Sequence, residues 1–200
     1  MSPPAVLALD VAILLPRTLR RKVAALNETL ASPPEGFRFD NTHLPHITLM
    51  QQFVATDRLE IFSRALGGLT RELKTLGLKT GDVTYSGTCA TWQVEPTSPL
   101  LELHRRLMDG LRPFNAGNGT LDSFVSGDTP PRLNDLDWVT QYHAQAAYDH
   151  FDPHITLGVG TLRRLPTPTR FSADQLALCQ LGRFCTCRRV ITCRSLTPTE

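Results

Sequence analysis

The sequence lacks a strong excess of charge of either sign. Twenty-one Lys and Arg residues stand against 19 Asp and Glu, which leaves a formal net charge of +2 over 200 residues. Proteins that coat nucleic acid are usually more basic, so we expect any polyanionic partner to be small or held by a local patch. With 41% hydrophobic and 20% charged residues, the composition excludes a disordered or collagen-like chain and fits one globular domain over residues 1–200.

The sequence also lacks a long hydrophobic run. The apolar stretch 5–15 is interrupted by Asp10, is too short to span a bilayer, and is not preceded by the basic residues of a signal peptide. We therefore interpret this stretch as a buried strand. We expect a cytoplasmic protein that does not associate with a membrane.

The sequence lacks the cysteine pattern of a disulfide-bonded protein, and it also lacks a Walker-type glycine loop. The five cysteines are odd in number, and four of them crowd into the C-terminal segment: Cys179, Cys185, Cys187 and Cys193. An odd, clustered set does not suit a secreted disulfide framework, and the spacing departs from the Cys-x₂₋₄-Cys pairs of common zinc sites. Buried thiols are the simpler interpretation, with a zinc-stabilised structural protein as the alternative.

Hydrophobic periodicity predicts strands and helices in a repeated order. Strands are expected near 5–14, 43–53, 152–159, 174–181 and 184–194, and one or two strands are expected within 82–95. Helices are expected at 17–31, from about 57 to Leu76, from Ser98, and at 138–147, with a mobile loop at 113–137. The order strand–helix–strand occurs twice, so we predict an α+β fold of two similar lobes.

One pentapeptide occurs twice in the chain. Residues 45–49 and 153–157 both read Pro-His-Ile-Thr-Leu. A chance repeat of this length in a chain of this size is on the order of one in a hundred or less, so the repeat needs a cause. In a strand, residues i and i+2 share a face. His46 and Thr48 therefore share one face of their strand, as do His154 and Thr156.

Two imidazoles beside two hydroxyls suit phosphodiester chemistry without a metal. The ordinary pKa of imidazole is near 6.5, so near neutral pH one ring can be neutral while the other is protonated. Such a pair supplies a general base and a general acid, and the hydroxyls can donate hydrogen bonds to phosphate oxygens. A single His-x-Thr motif is more often a His and a Thr that form a hydrogen-bonded pair on the surface. Its duplication in this chain favours a functional role.

The doubled motif resembles that of the two-histidine (2H) phosphoesterase superfamily, which includes 2′,5′ RNA ligase-like proteins and cyclic nucleotide phosphodiesterases. Segments 98–104, 180–184 and 187–190 are also similar to pieces of that family. The resemblance implies two pseudo-symmetric lobes of antiparallel sheet, flanked by helices, around a central cleft. It also implies the following site residues: His46 and His154 as the catalytic pair, with Thr48 and Thr156 on the phosphate.

The reaction implied by this resemblance is hydrolysis of a 2′,3′-cyclic phosphate to a 2′-phosphate, or cleavage or joining of a 2′,5′ linkage. The substrate is a nucleotide or an RNA end, and neither a metal nor another cofactor is expected. We expect a monomer. The identical motifs leave open which histidine is the acid. The alternatives are a non-catalytic nucleotide- or RNA-binding module using the same cleft and an RNA-processing partner protein.

Five further residues are candidates for substrate contacts. The aromatic rings of Phe53, Tyr148 and Phe151 lie near the motifs in sequence and are candidates for stacking on a base. Arg163 and Arg188 belong to the densest basic segments and are candidates for binding phosphate. Each of these five residues also has a structural interpretation. The aromatic rings could pack in the core, and the arginines could lie on a solvated face.

Overall fold

A single eight-stranded antiparallel sheet organises the residues that the structure describes, 4–127 and 129–198. In this computed structural model the strands are β1 (Val6–Leu14), β2 (His46–Ala55), β3 (Leu76–Ser86), β4 (Cys89–Val94), β5 (His154–Val159), β6 (Arg170–Ala173), β7 (Gln175–Leu181) and β8 (Cys187–Ser195). The flanking helices are α1 (Arg17–Asn27), α2 (Leu59–Leu69), α3 (Ser98–Leu111) and α4 (Leu133–Gln145). None of the helices described here is long and apolar enough to cross a membrane.

The sheet consists of two halves joined edge to edge. The strand order is β6-β3-β4-β5-β2-β1-β7-β8, so each half contributes four strands and β5 meets β2 at the centre. Ile47 of β2 lies opposite Ile155 of β5 at this junction. Each half thus carries one copy of the repeated pentapeptide. The predicted α+β fold with two pseudo-symmetric lobes is confirmed.

Strand β1 separates two kinds of packing. Leu9, Val11 and Ile13 belong to the main hydrophobic core. Ala8 and Ala12 point to the opposite face and belong to two smaller clusters. Asp10 lies between these two alanines and therefore shares their face. The apolar character of β1 on both faces explains its central place in the sheet.

Asn27 links the end of α1 to the second motif strand. Its side-chain amide donates hydrogen bonds to the carbonyl oxygens of Leu157, at 2.8 Å, and Phe37, at 3.1 Å. Its side-chain carbonyl oxygen accepts a hydrogen bond from the backbone N–H of Phe39 at 3.3 Å. Because Asn27 is 1% exposed, water cannot replace these bonds.

We expect Asn27→Ala to lower the free energy of unfolding by about 2–3 kcal/mol, because buried backbone groups lose their partners. Urea unfolding followed by tryptophan fluorescence measures this loss. Glu28→Ala, at the exposed next residue, is the control and should change stability by less than about 0.5 kcal/mol. A loss no larger than that of the control would contradict the assigned role of Asn27.

Three predicted helix boundaries are wrong. The first helix ends at Asn27 rather than near residue 31. The second helix ends at Leu69, and Leu76 instead begins β3, because Gly67 and Gly68 weaken the helix before the predicted stripe ends. The fourth helix begins at Leu133, inside the predicted loop 113–137, because the Asp135 carboxylate accepts a hydrogen bond from the backbone N–H preceding the helix.

One strand is absent from the sequence-based prediction. Strand β6 forms in a segment that follows Pro166 and Pro168, where the prolines predict a turn. It pairs with the first part of β3, where Leu76 lies opposite Ala173. The four residues of β6 are too few to show a hydrophobic period.

Candidate active site

The two His-x-Thr motifs converge on one cleft of about 610 Å³. All four motif side chains line it: His46, Thr48, His154 and Thr156. The antiparallel register at Ile47 and Ile155 explains this, because each histidine then lies across from the other motif's threonine. Both isoleucines point to the opposite face and are fully buried. The cleft therefore coincides with the pseudo-twofold axis between the halves of the sheet.

The two histidines are held by the same kind of hydrogen bond. His46 Nδ1 lies 2.8 Å from the carbonyl oxygen of Leu44, and His154 Nδ1 lies 2.8 Å from that of Asp152. A carbonyl oxygen can only accept, so Nδ1 carries the hydrogen in both rings. Nε2 of each ring is left to take up or release a proton.

The two histidines differ in what lies beside Nε2. The Asp10 carboxylate comes within 3.6 Å of His46 Nε2, and the side chains of Asp10 and His46 are 0% and 8% exposed. In the part of the chain that the structure describes, no carboxylate forms a comparable pair with His154. This neighbouring carboxylate distinguishes two otherwise identical motifs.

Asp10 is bound so that its ionised form fits the site. Thr48 Oγ1 and Gln51 Nε2 donate hydrogen bonds to Asp10 Oδ2 at 2.7 and 2.8 Å, while Oδ1 has no partner among the described residues. Burial raises the pKa of Asp10, and the charge of His46 and the two hydrogen bonds oppose that rise. A proton on Oδ2 would face two donors, and a proton on Oδ1 would find no acceptor.

The two threonines differ as well. Thr48 donates its hydroxyl hydrogen to Asp10. The hydroxyl of Thr156 makes no side-chain hydrogen bond with the residues described. Thr156 is half-buried and lines the same cleft. Thr156 is therefore the threonine with a hydroxyl available to a bound anion.

Solved structures share this fold. No protein-family model and no curated protein sequence matches the chain. TT0787 of Thermus thermophilus aligns with a TM-score of 0.61 at 15% identity, over 97% of this chain and 100% of that chain. A phosphoesterase aligns with a TM-score of 0.60 at 18% identity, over 96% of this chain and 99% of that chain. E. coli LigT complexed with 3′-AMP aligns with a TM-score of 0.59 at 17% identity, over 96% of this chain and 99% of that chain. The chain has the fold of these three proteins.

Two residues of this two-histidine site were not assigned a role from the sequence, Asp10 and Gln51. Asp10 is visible in the sequence as the one charged residue in an apolar strand, which is a signal of a buried functional group. Gln51 accepts a hydrogen bond from Trp138 Nε1 at 3.0 Å and donates to Asp10. It links the floor of the cleft to α4, and nothing in its sequence context indicates that link.

The rim of the cleft is aromatic. Tyr85 of β3 is 42% exposed and Trp138 of α4 is 40% exposed, and both line the opening. Phe184 also lines it, with the Arg132 guanidinium 4.0 Å from the centre of its ring. These rings offer surfaces on which a base can stack.

The predicted substrate contacts are only partly at the cleft. Phe151 lines it and stacks on the His104 ring with centroids 3.8 Å apart, so its role in binding stays a prediction. The prediction for Phe53 is wrong: its side chain is 0% exposed and packs edge-on against Phe124, because β2 turns that position into the core.

Three other candidates lie outside the cleft as the structure describes it. The Tyr148 hydroxyl donates a hydrogen bond to Asp109 at 2.8 Å, which holds the ring away from the opening. Arg163 is exposed in the segment between β5 and β6 and does not line the cleft. Arg188 lines a smaller neighbouring cavity instead.

A metal site has little support in the residues present. Ligand atoms of Asp10, His46 and Cys187 lie within 4.8 Å of one another, the one such group in the described part of the chain. Burial raises the pKa of the Cys187 thiol well above its usual value, and its contact with Cys179 adds to that rise. A thiol that keeps its proton is a poor metal ligand. The four C-terminal cysteines do not themselves come together as a ligand set in the residues described.

Proposed function

We propose that the chain is a metal-independent phosphodiesterase that hydrolyses 2′,3′-cyclic phosphates to 2′-phosphates, or cleaves or joins 2′,5′ linkages, in nucleotides or at RNA ends. The observation that carries this proposal is the pair of imidazoles, each held through Nδ1, on one cleft. The fold supports it, because structures of E. coli LigT with the same fold hold 3′-AMP, NADP+ and ATP.

The hydrolytic step needs two proton transfers. A water oxygen forms a bond to phosphorus as one histidine Nε2 takes its proton. The bond from phosphorus to the 3′ oxygen breaks as the other histidine Nε2 gives that oxygen a proton. The product is a 2′-phosphate with a free 3′ hydroxyl, and the two rings end with their protonation states exchanged.

Asp10 assigns the two roles. Its carboxylate lies beside His46 Nε2 but, at 3.6 Å, is too far to accept a strong hydrogen bond from it. The charge therefore stabilises a protonated His46 while leaving the Nε2 hydrogen for the leaving oxygen. His154 lacks such a neighbour among the described residues and acts as the base that activates water.

The two threonines should respond differently to the same substitution. We expect Thr156→Val to raise KM about tenfold, since a hydrogen bond to the phosphate is lost. Thr48→Val should act mainly on kcat, because it removes a hydrogen bond from Asp10. Steady-state kinetics of both variants tests this, each serving as the control for the other. The assignment is wrong if the two variants show the same pattern.

The reaction itself is tested with a substrate panel. 2′,3′-cyclic mononucleotides and 2′,5′- and 3′,5′-linked dinucleotides are incubated with the protein in EDTA, and the products are resolved as 2′- or 3′-phosphates. Release of 2′-phosphate in EDTA supports the proposal. Binding of nucleotide by calorimetry without turnover would overturn it and favour a binding module.

A further inference from the structure

A second, smaller cavity adjoins the cleft. Its volume is about 90 Å³, and it shares two walls with the cleft, Phe37 and Phe184. Three guanidinium groups line it, those of Arg38, Arg183 and Arg188. The space exceeds that of a single water molecule and suits one small oxyanion.

The three guanidinium groups are held by neutral partners. Arg38 donates to backbone carbonyl oxygens only, and Arg183 donates to that of Pro34 at 2.8 Å. Arg188 donates to His43 Nδ1 at 2.8 Å. Within the described residues, no carboxylate forms an ion pair with any of the three. Their positive charges are therefore oriented but not cancelled.

The acidic group that lines this cavity is already engaged. Asp40 accepts hydrogen bonds from the backbone N–H and the hydroxyl of Thr42, at 2.6 and 2.8 Å. Among the lining residues that the structure describes, one carboxylate stands against three guanidinium groups, which is an excess of positive charge. An excess of positive charge in a concave site favours the binding of an anion.

His43 fixes Arg188 without adding a carboxylate. Burial and the neighbouring charge of Arg188 lower the pKa of His43 to about 3, so the ring is neutral at pH 7. Its Nδ1 accepts from Arg188, so Nε2 carries the hydrogen and donates to the Thr186 hydroxyl. That hydroxyl donates in turn to the backbone oxygen of Arg183. This chain of hydrogen bonds connects the Arg188 guanidinium group to the backbone of Arg183.

One donor at this cavity has no acceptor. Arg183 Nε is buried and makes no hydrogen bond with the residues described. An N–H removed from water without a partner destabilises the protein, and a bound anion would supply the acceptor. Guanidinium groups also match the geometry of phosphate oxygens, which they bind in pairs of hydrogen bonds.

We infer that this cavity binds a phosphate group, namely a second phosphate of the ligand whose reacting phosphate lies in the cleft. The assignment to the same ligand rests on the proposed function, whereas binding of a phosphate anion as such does not. Phe184 is the shared wall, held at φ 62° with the Arg132 and Arg183 guanidinium groups 4.0 and 5.0 Å from its ring centre. A nucleotide that crosses Phe184 reaches both cavities.

Kinetics with matched substrates tests this inference. A 2′,3′-cyclic nucleotide with a 5′-phosphate should have a lower KM than the same nucleotide without it. We expect Arg188→Gln to raise KM for the phosphorylated substrate about tenfold and to leave the other substrate unchanged. Arg189→Gln, at the exposed next residue of β8, is the control and should change neither. Equal KM values for the two substrates in the wild-type protein would overturn the shared-ligand assignment.

Calorimetry separates this inference from the proposed function. Inorganic phosphate is titrated into a His46→Ala/His154→Ala protein, with and without Arg188→Gln or Arg183→Gln. Loss of phosphate binding in both arginine variants, with unchanged melting temperature, supports the cavity even if no substrate is turned over. A phosphate titration that neither arginine substitution changes, or the absence of phosphate binding from the protein with intact arginines, overturns it.

Discussion

Replacing His154 by alanine is expected to lower kcat/KM by about 10²- to 10⁴-fold, and replacing His46 by alanine should have an effect of similar size. Both proton transfers are needed for one turnover, so neither ring can compensate for the other. For the same reason the double variant should be little worse than either single one. Initial rates on a 2′,3′-cyclic nucleotide measure all three.

The matched control is His143→Ala. His143 lies on α4 and does not line the cleft as described, so its removal should leave the rate within about twofold. Melting temperatures of all variants show whether the fold is intact. Near-wild-type activity in either motif variant, with the fold retained, would contradict the acid–base assignment.

Asp10→Asn should produce the second large effect. The substitution keeps the shape of the side chain but removes the charge that stabilises protonated His46. We expect kcat/KM at pH 8 to fall on the order of tenfold or more. Asp122→Asn, at an exposed position outside the cleft, is the control.

The stability of the wild-type protein should depend on pH through Asp10, and urea unfolding at several pH values should show that the variant lacks this dependence. Burial raises the pKa of Asp10 in the folded state above 3.8, its value in the unfolded chain. The contribution of Asp10 to stability is therefore present below 3.8 and is lost as the pH rises through the folded-state value. An asparagine does not titrate, so the variant should lack this pH dependence. An Asp10→Asn variant with the kcat/KM of the wild-type protein would refute the assigned role of Asp10.

The positions of the two motifs could be predicted from the sequence because both determinants are local. The pentapeptide occurs twice, and alternation within each copy places His46 with Thr48 and His154 with Thr156. The resemblance to a known superfamily then supplied the antiparallel lobes. The structure bears out the antiparallel lobes, and it adds the pairing of β2 with β5 at the centre of the sheet, which the sequence did not predict.

The remaining contacts depend on residues far apart in the chain. Asp10 meets Thr48 and Gln51 only through the register of β1 against β2. The prediction for Phe53 failed because proximity to a motif in sequence does not reveal which face of a strand is covered. Arg188 reaches its cavity through His43, 145 residues earlier, and no local pattern encodes such a contact.

The two outer strands of the sheet bear on how the protein behaves at high concentration. An open sheet exposes unpaired backbone groups at its edges, and these can recruit strands from other molecules into fibres. Strand β6 offers four residues after two prolines, and β8, though longer and mostly exposed, carries Arg188, Arg189 and Arg194. Copies that meet along β8 would place like charges together. Resistance to aggregation along this edge is therefore electrostatic, and it weakens as ionic strength rises.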